Sequence, residues 1–276
     1  MNTIYEKIGY EKIGYEKIGY DKIGIGYDTT RKADPYILSK LNQFLEIKEN
    51  KNYLDVACGT GNYTSEMAKF GGNWSAFDQS EVMLSEAKQK SKLVQWSKYN
   101  VENTNFESSY FDGAFCSLAI HHFPNLSKAF NEISRVLKPS ARMILFTAIP
   151  EQMYGYWLNE YFPNMMQASC DQMPSLTAIE SAINKHGLTI ESTQPFFITS
   201  ELQDFFLYSG KQRPEIYLEK PVRDGISSFR NLCSKKELEA GLSTLQSDIE
   251  TGAINDVIQK YNNDIGDYLF IVISKN

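Results

Sequence analysis

The chain has 276 residues, with 28 basic against 34 acidic side chains and a formal net charge of −6. Hydrophobic residues make up 42% and 17 glycines add to them, an apolar share typical of globular proteins that excludes disorder as the dominant state. The acidic balance, with no Lys/Arg run, argues against a nucleic-acid partner. Four cysteines (Cys58, Cys116, Cys170, Cys233) lie far apart with no C-x-x-C pair; this speaks against a metal site or a disulfide framework and fits a reducing cytoplasm. The longest apolar runs, such as Leu269 to Ile273, are far shorter than the ~20 residues of a membrane span. Residues 1–25 carry a charge pair every five residues and lack the apolar core of a signal peptide. The expectation is a cytoplasmic protein with neither a membrane nor a nucleic acid as partner.

The N-terminus repeats Tyr5-Glu6-Lys7-Ile8-Gly9 through Gly19 and then as Tyr20-Asp21-Lys22-Ile23-Gly24. A period of five keeps neither a helix face nor a strand face, and a glycine in every unit weakens a helix further. Residues 1–26 are therefore expected to form a mostly solvated arm, with a partner-binding or site-covering role for its tyrosines as the alternative. From residue 27 the pattern becomes globular. A helix is predicted over 34–46, a strand over Tyr53–Ala57 and a helix over 62–70. A strand over Trp74–Phe77 ends at Asp78, a helix capped by Ser80 covers 80–91, and a strand covers 93–99. Phe111 to Ile120 reads as a strand buried on both faces; a helix over 125–137 is stopped by Pro139, and Met143–Ala148 is another buried strand. Residues 150–170 are rich in aromatic residues and methionine and read as helical. A helix at 175–187, a strand at 188–199, several helices over 201–262 including Lys235 to Thr251, and a strand at 267–274 complete the chain. This alternation predicts a doubly wound α/β domain with a parallel sheet over 27–276. Helical cap segments are expected at about 150–175 and 200–265.

Chemistry is concentrated in Asp55-Val56-Ala57-Cys58-Gly59-Thr60-Gly61, a strand end running through two glycines into a helix. In a doubly wound sheet a ligand sits at that place, against the helix N-terminus. Asp78 ends the next strand, 17 positions after Gly61, where a carboxylate accepts hydrogen bonds from both ribose hydroxyls. The ligand should contain a nucleoside. A dinucleotide fingerprint would have a third glycine where Thr64 stands, and Asp55 would oppose a pyrophosphate. A ligand with sulfonium and ammonium groups would tolerate that carboxylate. The residues lean to the sulfonium cofactor and leave an NAD(P)-dependent oxidoreductase, or a catalytically idle cofactor-binding protein with a recruiting tail, as alternatives.

Asp55-x-x-Cys58-Gly59-Thr60-Gly61, Asp78-Gln79-Ser80-x-x-Met83-Leu84, Phe111-Asp112-Gly113-Ala114 and Ile120-His121-His122-Phe123 resemble the class I S-adenosylmethionine-dependent methyltransferases. Arg135-Val136-Leu137-Lys138-Pro139 followed by Arg142 is similar to the family's segment before its fifth strand. The likeness runs from about Tyr27 to Pro150. It implies a Rossmann-like, seven-stranded, mainly parallel sheet with an antiparallel last strand and helical insertions forming a substrate cap. It also implies S-adenosyl-L-methionine as cofactor, S-adenosyl-L-homocysteine as product and a small-molecule acceptor.

By the same resemblance, Asp55, Gly59 and Gly61 line the methionine moiety, together with Ala57. Asp78 binds the ribose with Gln79 beside it, and Met83 packs near the adenine. Asn100-Val101 stands where the family usually has Asp-Ala, which removes a charged contact to the adenine amino group. Ser117 and Leu118 end the fourth strand beneath the sulfonium, and Tyr27 and Arg31 look like a segment that closes over the cofactor. His121 and His122 follow that strand. His122, ahead of His121, is expected as general base, with an acid limb near the ordinary imidazole pKa of roughly 6–7; the alternative is a structural pair, one capping the next helix. Tyr154, Trp157 and Tyr161 share one helical face and are expected to wall the acceptor site, with 205–208 adding to it. The bland alternative for that face is the apolar side of an insertion helix. His186 is expected to cap a helix end. No metal is expected, and the acceptor atom (O, N or C) stays open.

Overall fold

The computed structural model describes residues 27–276; the repeat-bearing arm of residues 1–26 lies outside the described residues. After a 3-10 turn at Tyr27–Thr29, the elements are α1 (Pro35–Leu45), β1 (Asn52–Val56), α2 (Asn62–Met67), β2 (Asn73–Asp78), α3 (Glu81–Lys90), β3 (Val94–Lys98), β4 (Phe111–Ser117), α4 (Leu126–Val136) and β5 (Leu137–Thr147). The short helices α5 (Pro150–Met153), α6 (Leu158–Tyr161) and α7 (Pro163–Gln172) precede α8 (Leu176–Asn184) and β6 (Leu188–Phe196). Helices α9 (Lys220–Asp224), α10 (Ser227–Asn231), α11 (Lys235–Thr251) and α12 (Ile254–Lys260) lead into β7 (Tyr268–Lys275). Among the described residues, no helix is long and apolar enough to cross a membrane.

The strands form one seven-stranded sheet in the order β3-β2-β1-β4-β5-β7-β6. The β1–β2, β1–β4, β2–β3 and β4–β5 pairs are parallel, and β7 runs antiparallel between β5 and β6. The alternation of strand side chains divides the core into two layers. Tyr53, Trp74, Phe115, Ile144, Phe146 and Phe270 face α1 and the helices that follow β5 and β6. Leu54, Val56, Phe77, Cys116, Met143 and Ile271 face α4 and α8 through Phe130, Ile133, Ile179 and Ile183. Helix starts follow local chemistry. Asp34 accepts from Tyr36 and Ile37 backbone N–H to open α1, Ser80 opens α3, and Asn125, rather than a histidine, caps α4.

Three sequence expectations change. The strand expected through Ile120 stops at Ser117, because Leu118 turns into the left-handed region (φ 55). The strand expected from Met143 already begins at Leu137; pairing jumps from Phe111↔Leu137 to Gly113↔Arg142, so the excess residues around Pro139 bulge rather than end pairing. The helix expected over 150–170 is three short ones, since Pro163 opens a new helix and the residue before a proline avoids helical geometry. His186 follows α8, and its Nε2 shares a 2.9 Å hydrogen bond with Ser127 Oγ on α4.

The helices after β5 and β6 extend the first core layer beyond the sheet. In α11, Gly241 lets the helix approach α6 closely: a Cβ there would lie 2.4 Å from Phe162 Cε1 and 2.5 Å from the Tyr161 carbonyl oxygen. Alanine is the better helix former by about 1 kcal/mol, yet Gly241→Ala is expected to destabilise the protein by about 1–3 kcal/mol through overpacking. Urea denaturation checks this, and a neutral or stabilising result would mean that the contact yields freely.

Candidate active site

The site is built where β1 and β2 end. Beyond Val56 the chain turns through Ala57 (φ 58), Gly59 (φ 55) and Gly61 (φ 71), three left-handed residues in five. Cys58 N–H donates to the Phe77 carbonyl (3.0 Å) and Gly61 N–H to the Cys58 carbonyl (2.9 Å). Asp78 ties the turn to β2: its Oδ2 accepts from Gly59 N–H at 2.9 Å and its Oδ1 from Ser80 N–H at 2.9 Å. Each carboxylate oxygen keeps further acceptor capacity. Asp55 is buried beneath the turn and accepts a hydrogen bond from the Thr64 hydroxyl. Burial pushes the pKa of Asp55 well up, and Asp78 adds to that while Thr64 opposes it. Burial also raises Asp78, against the backbone bonds from Ser80 and Gly59. The Cys58 thiol is held in its neutral form by burial and by both carboxylates, so it is poorly suited to act as a nucleophile. Cys116 is core.

A cavity of about 1020 Å³, counted with its open mouth, lies over this turn. It is lined by Arg31, Asp55, Ala57, Gly59, Asp78, Gln79, Met83, Asn100, Val101, Ser117, Leu118 and His122, the residues singled out from the sequence. Gly61 is not in the lining. A Cβ on it would meet the Trp96 ring at 2.4 Å, so it shapes the turn by packing against β3. Tyr27 is described only as the first residue of its 3-10 turn. Its neighbour Asp28 makes the connection instead, accepting from Thr60 Oγ1 (2.8 Å) and Asn62 Nδ2 (2.9 Å) and pairing with Lys90 (2.6 Å). Asn100 is exposed and already accepts from Glu102 N–H through Oδ1.

Sequence reasoning missed Tyr63, Tyr99, Phe123 and Asp204 in the lining. Tyr63 sits in the first turn of α2, close to the glycines in sequence. Asp204 carries no local signal; it reaches the cavity from the segment after β6, where Arg31 Nε binds Oδ1 at 2.5 Å and Tyr63 Oη donates to Oδ2 at 3.1 Å.

A second cavity of about 840 Å³ adjoins the first and shares Arg31, Leu118 and His122 with it. Its other walls come from the ends of β5 and β7 and from the cap: Thr147, Met153, Ser169, Met173, Phe206, Leu207, Ile226, Ser228 and Tyr268 among them. His121 lines this cavity alone, its ring centroid 3.8 Å from that of His122. Exclusion of water pushes His121 down to about 4 and His122 well below the ordinary imidazole value, His121 adding to the latter.

The aromatic trio expected as the acceptor wall lies elsewhere. Tyr154 is 55% exposed. Trp157 is buried among Tyr161, Tyr208 and Tyr217, with Nε1 donating to the Lys211 carbonyl. Tyr161 Oη donates to Asp248 on α11 at 2.8 Å. The break into short helices buries Trp157 and Tyr161 in the packing of these helices, and the second cavity is lined instead by Met153, Ser169 of α7 and the chain around Phe206 and Ile226. Of the expected 205–208 segment, Phe206 and Leu207 reach the cavity.

The first cavity fits a nucleoside linked to a cationic group. Gly59 leaves open space, with none of the described residues within 4 Å of where a Cβ would stand. Two buried carboxylates converge on it and Ser117 Oγ, buried in its wall, has no hydrogen-bond partner among the described residues. Two acids facing the cavity favour a sulfonium or ammonium and oppose a pyrophosphate.

The comparisons agree. A family model described as a methyltransferase domain matches residues 54–145. A solved structure from Anabaena variabilis, described as a methyltransferase from an antibiotic biosynthesis pathway, is 28% identical, with 90% of this chain and 99% of that one covered and a TM-score of 0.78. A sterol 4-C-methyltransferase from Caenorhabditis elegans is 24% identical over 229 residues, 78% of this chain and 67% of that protein. A geranyl diphosphate C-methyltransferase from Streptomyces coelicolor, solved with S-adenosyl-L-homocysteine, shares the fold at a TM-score of 0.54 and 13% identity, covering 87% of this chain and 79% of that one. With the glycine turn, the acid that ends β2 and this fold together, the chain is an S-adenosylmethionine-dependent methyltransferase with the class I fold.

Proposed function

We propose that the enzyme methylates a small-molecule acceptor held in the second cavity, with the cofactor in the first. The observation that carries this reading is that the two cavities meet at Leu118 and His122, so donor and acceptor can face each other with protein closing off the rest. The sterol named for one relative and the geranyl diphosphate named for another support a small molecule as acceptor. The net charge of −6 speaks against a nucleic-acid partner, and the four scattered cysteines fit a reducing cytoplasm. Residues 27–276 act as one methyltransferase domain, the chain between about 150–175 and 200–265 forms its cap, and residues 1–26 are an appended arm.

When bound, S-adenosylmethionine supplies an electrophilic methyl group on a positively charged sulfur. Asp78 accepts hydrogen bonds from the ribose hydroxyls through the free lone pairs of its two oxygens. Met83, Val101 and Asn100 enclose the adenine. Asp55, Ser117 and the turn from Ala57 to Gly61 face the methionine end and favour its cationic groups, while Arg31, positioned by Asp204, closes that end. His122, neutral and at the junction, takes the acceptor's proton, with His121 fixing its ring. Positioning and exclusion of water supply the remainder of the rate.

Asp78→Ala is expected to weaken binding of S-adenosylhomocysteine by about 1–3 kcal/mol, because two hydroxyls lose a charged acceptor. Calorimetric titration of wild type and variant checks this. NAD titrated into the wild type should give no binding heat. An unchanged affinity in the variant would remove Asp78 from the ribose site.

A further inference from the structure

The walls of the second cavity define the charge its occupant can carry. Met153, Met173, Phe206, Leu207 and Ile226 are among its apolar lining residues. Two formally charged residues reach it among the described lining, and each has a counter-ion. Arg31 binds both oxygens of Asp204, at 2.5 and 3.3 Å. Asp224 is half exposed and pairs with Lys220 at 2.5 Å. The two histidines are neutral near pH 7. The polar groups remaining in the buried wall include the hydroxyls of Ser169 and Ser228, bonded to each other at 2.9 Å.

Taking the second cavity as the acceptor chamber, as the proposed function does, we propose that the acceptor is an uncharged, mainly apolar molecule with a hydroxyl- or carbonyl-type polar group. Carboxylate, phosphate and ammonium acceptors are rejected. A carboxylate or phosphate entering the chamber would lose its hydration and meet no spare cation, and an unpaired buried ion costs far more than a dipole. An ammonium would meet a carboxylate only at the rim, where Asp224 is already paired. A neutral hydroxyl or carbonyl can be satisfied by the serine pair, while the flexible methionines adapt to the apolar remainder.

The test uses four probes that share one chain and differ in head group: 1-octanol, octanoate, octyl phosphate and octylamine. Each is titrated into protein saturated with S-adenosylhomocysteine, whose own binding is measured first. 1-Octanol is expected to bind at least about tenfold more tightly than any charged congener. Ile226→Trp, which fills the chamber, should weaken 1-octanol by about tenfold or more with the S-adenosylhomocysteine affinity kept. Leu207→Trp serves if that variant fails to fold. A charged congener that equals 1-octanol, or a filled variant that binds cofactor product and still holds 1-octanol normally, would overturn the proposal. Failure of the wild type to bind S-adenosylhomocysteine would overturn the cofactor reading instead.

Discussion

Gly59→Val is expected to fold and to lose cofactor binding by roughly 100-fold or more, since a branched side chain would stand in space meant for the ligand. The left-handed φ of 55° adds about 1–2 kcal/mol of strain for a residue with a Cβ. Among the described residues nothing lies within 4 Å of that Cβ, so the fold they form has no clash to relieve and the ligand meets the obstruction. Gly187 provides the control. It also has a positive φ (69°) and open space around its Cβ, but it lies between α8 and β6 and lines neither cavity. Gly187→Val should therefore show a similar loss of thermal stability with cofactor affinity unchanged. The two variants together separate backbone strain from obstruction. Normal S-adenosylhomocysteine binding by Gly59→Val would show that the turn is not the binding loop.

The half of the site around the glycine turn was legible because its chemistry is local in sequence. A strand end, two glycines, and an acid one strand later are set by the geometry of β1, β2 and the turn, and the alternating pattern up to β5 constrains where they meet. Thr64, first read as the wrong residue for a pyrophosphate, turns out to satisfy the buried Asp55. The second cavity was not legible for the opposite reason. Its walls are contributed by Thr147, Met153, Ser169, Phe206, Ile226 and Tyr268, residues brought together by tertiary packing over a span of more than a hundred positions. Helical periodicity pointed to Tyr154, Trp157 and Tyr161, but the chain leaves the helix between Met153 and Leu158, which breaks that face. Asp204 is a similar case: a lone aspartate after a strand has no pattern, and its role emerges only with Arg31 and Tyr63 against it. The left-handed φ of Ala57 and Leu118, both non-glycine and both in the cavity wall, has no sequence signature either; such strain persists only where the surroundings impose it.

Replacing His122 by alanine is expected to lower kcat by about 10²-fold while S-adenosylhomocysteine affinity stays within a few-fold of wild type. General-base assistance is worth about 10²–10⁴-fold, and the low basicity of this imidazole places it at the lower end. Burial and the adjacent His121 hold its pKa well below the usual imidazole value, which changes the pH dependence expected from sequence. A base must be unprotonated to act. With the pKa lowered, the neutral form is complete throughout the ordinary imidazole range, so kcat should be flat there and fall only below it, rather than with a midpoint at roughly 6–7. The same depression destabilises the fold in acid: the unfolded chain binds protons at both histidines before the folded one does, so this contribution to stability is lost as pH falls below about 6.5. Rate and stability therefore have to be measured separately on the acid side, with melting temperature recorded at each pH. In His122→Ala the acid limb should disappear together with the rate. Retention of more than about a tenth of kcat would leave proton removal outside this residue, as expected for a carbon acceptor or an amine already neutral at pH 7. The reaction would then rest on the placement of the two cavities alone.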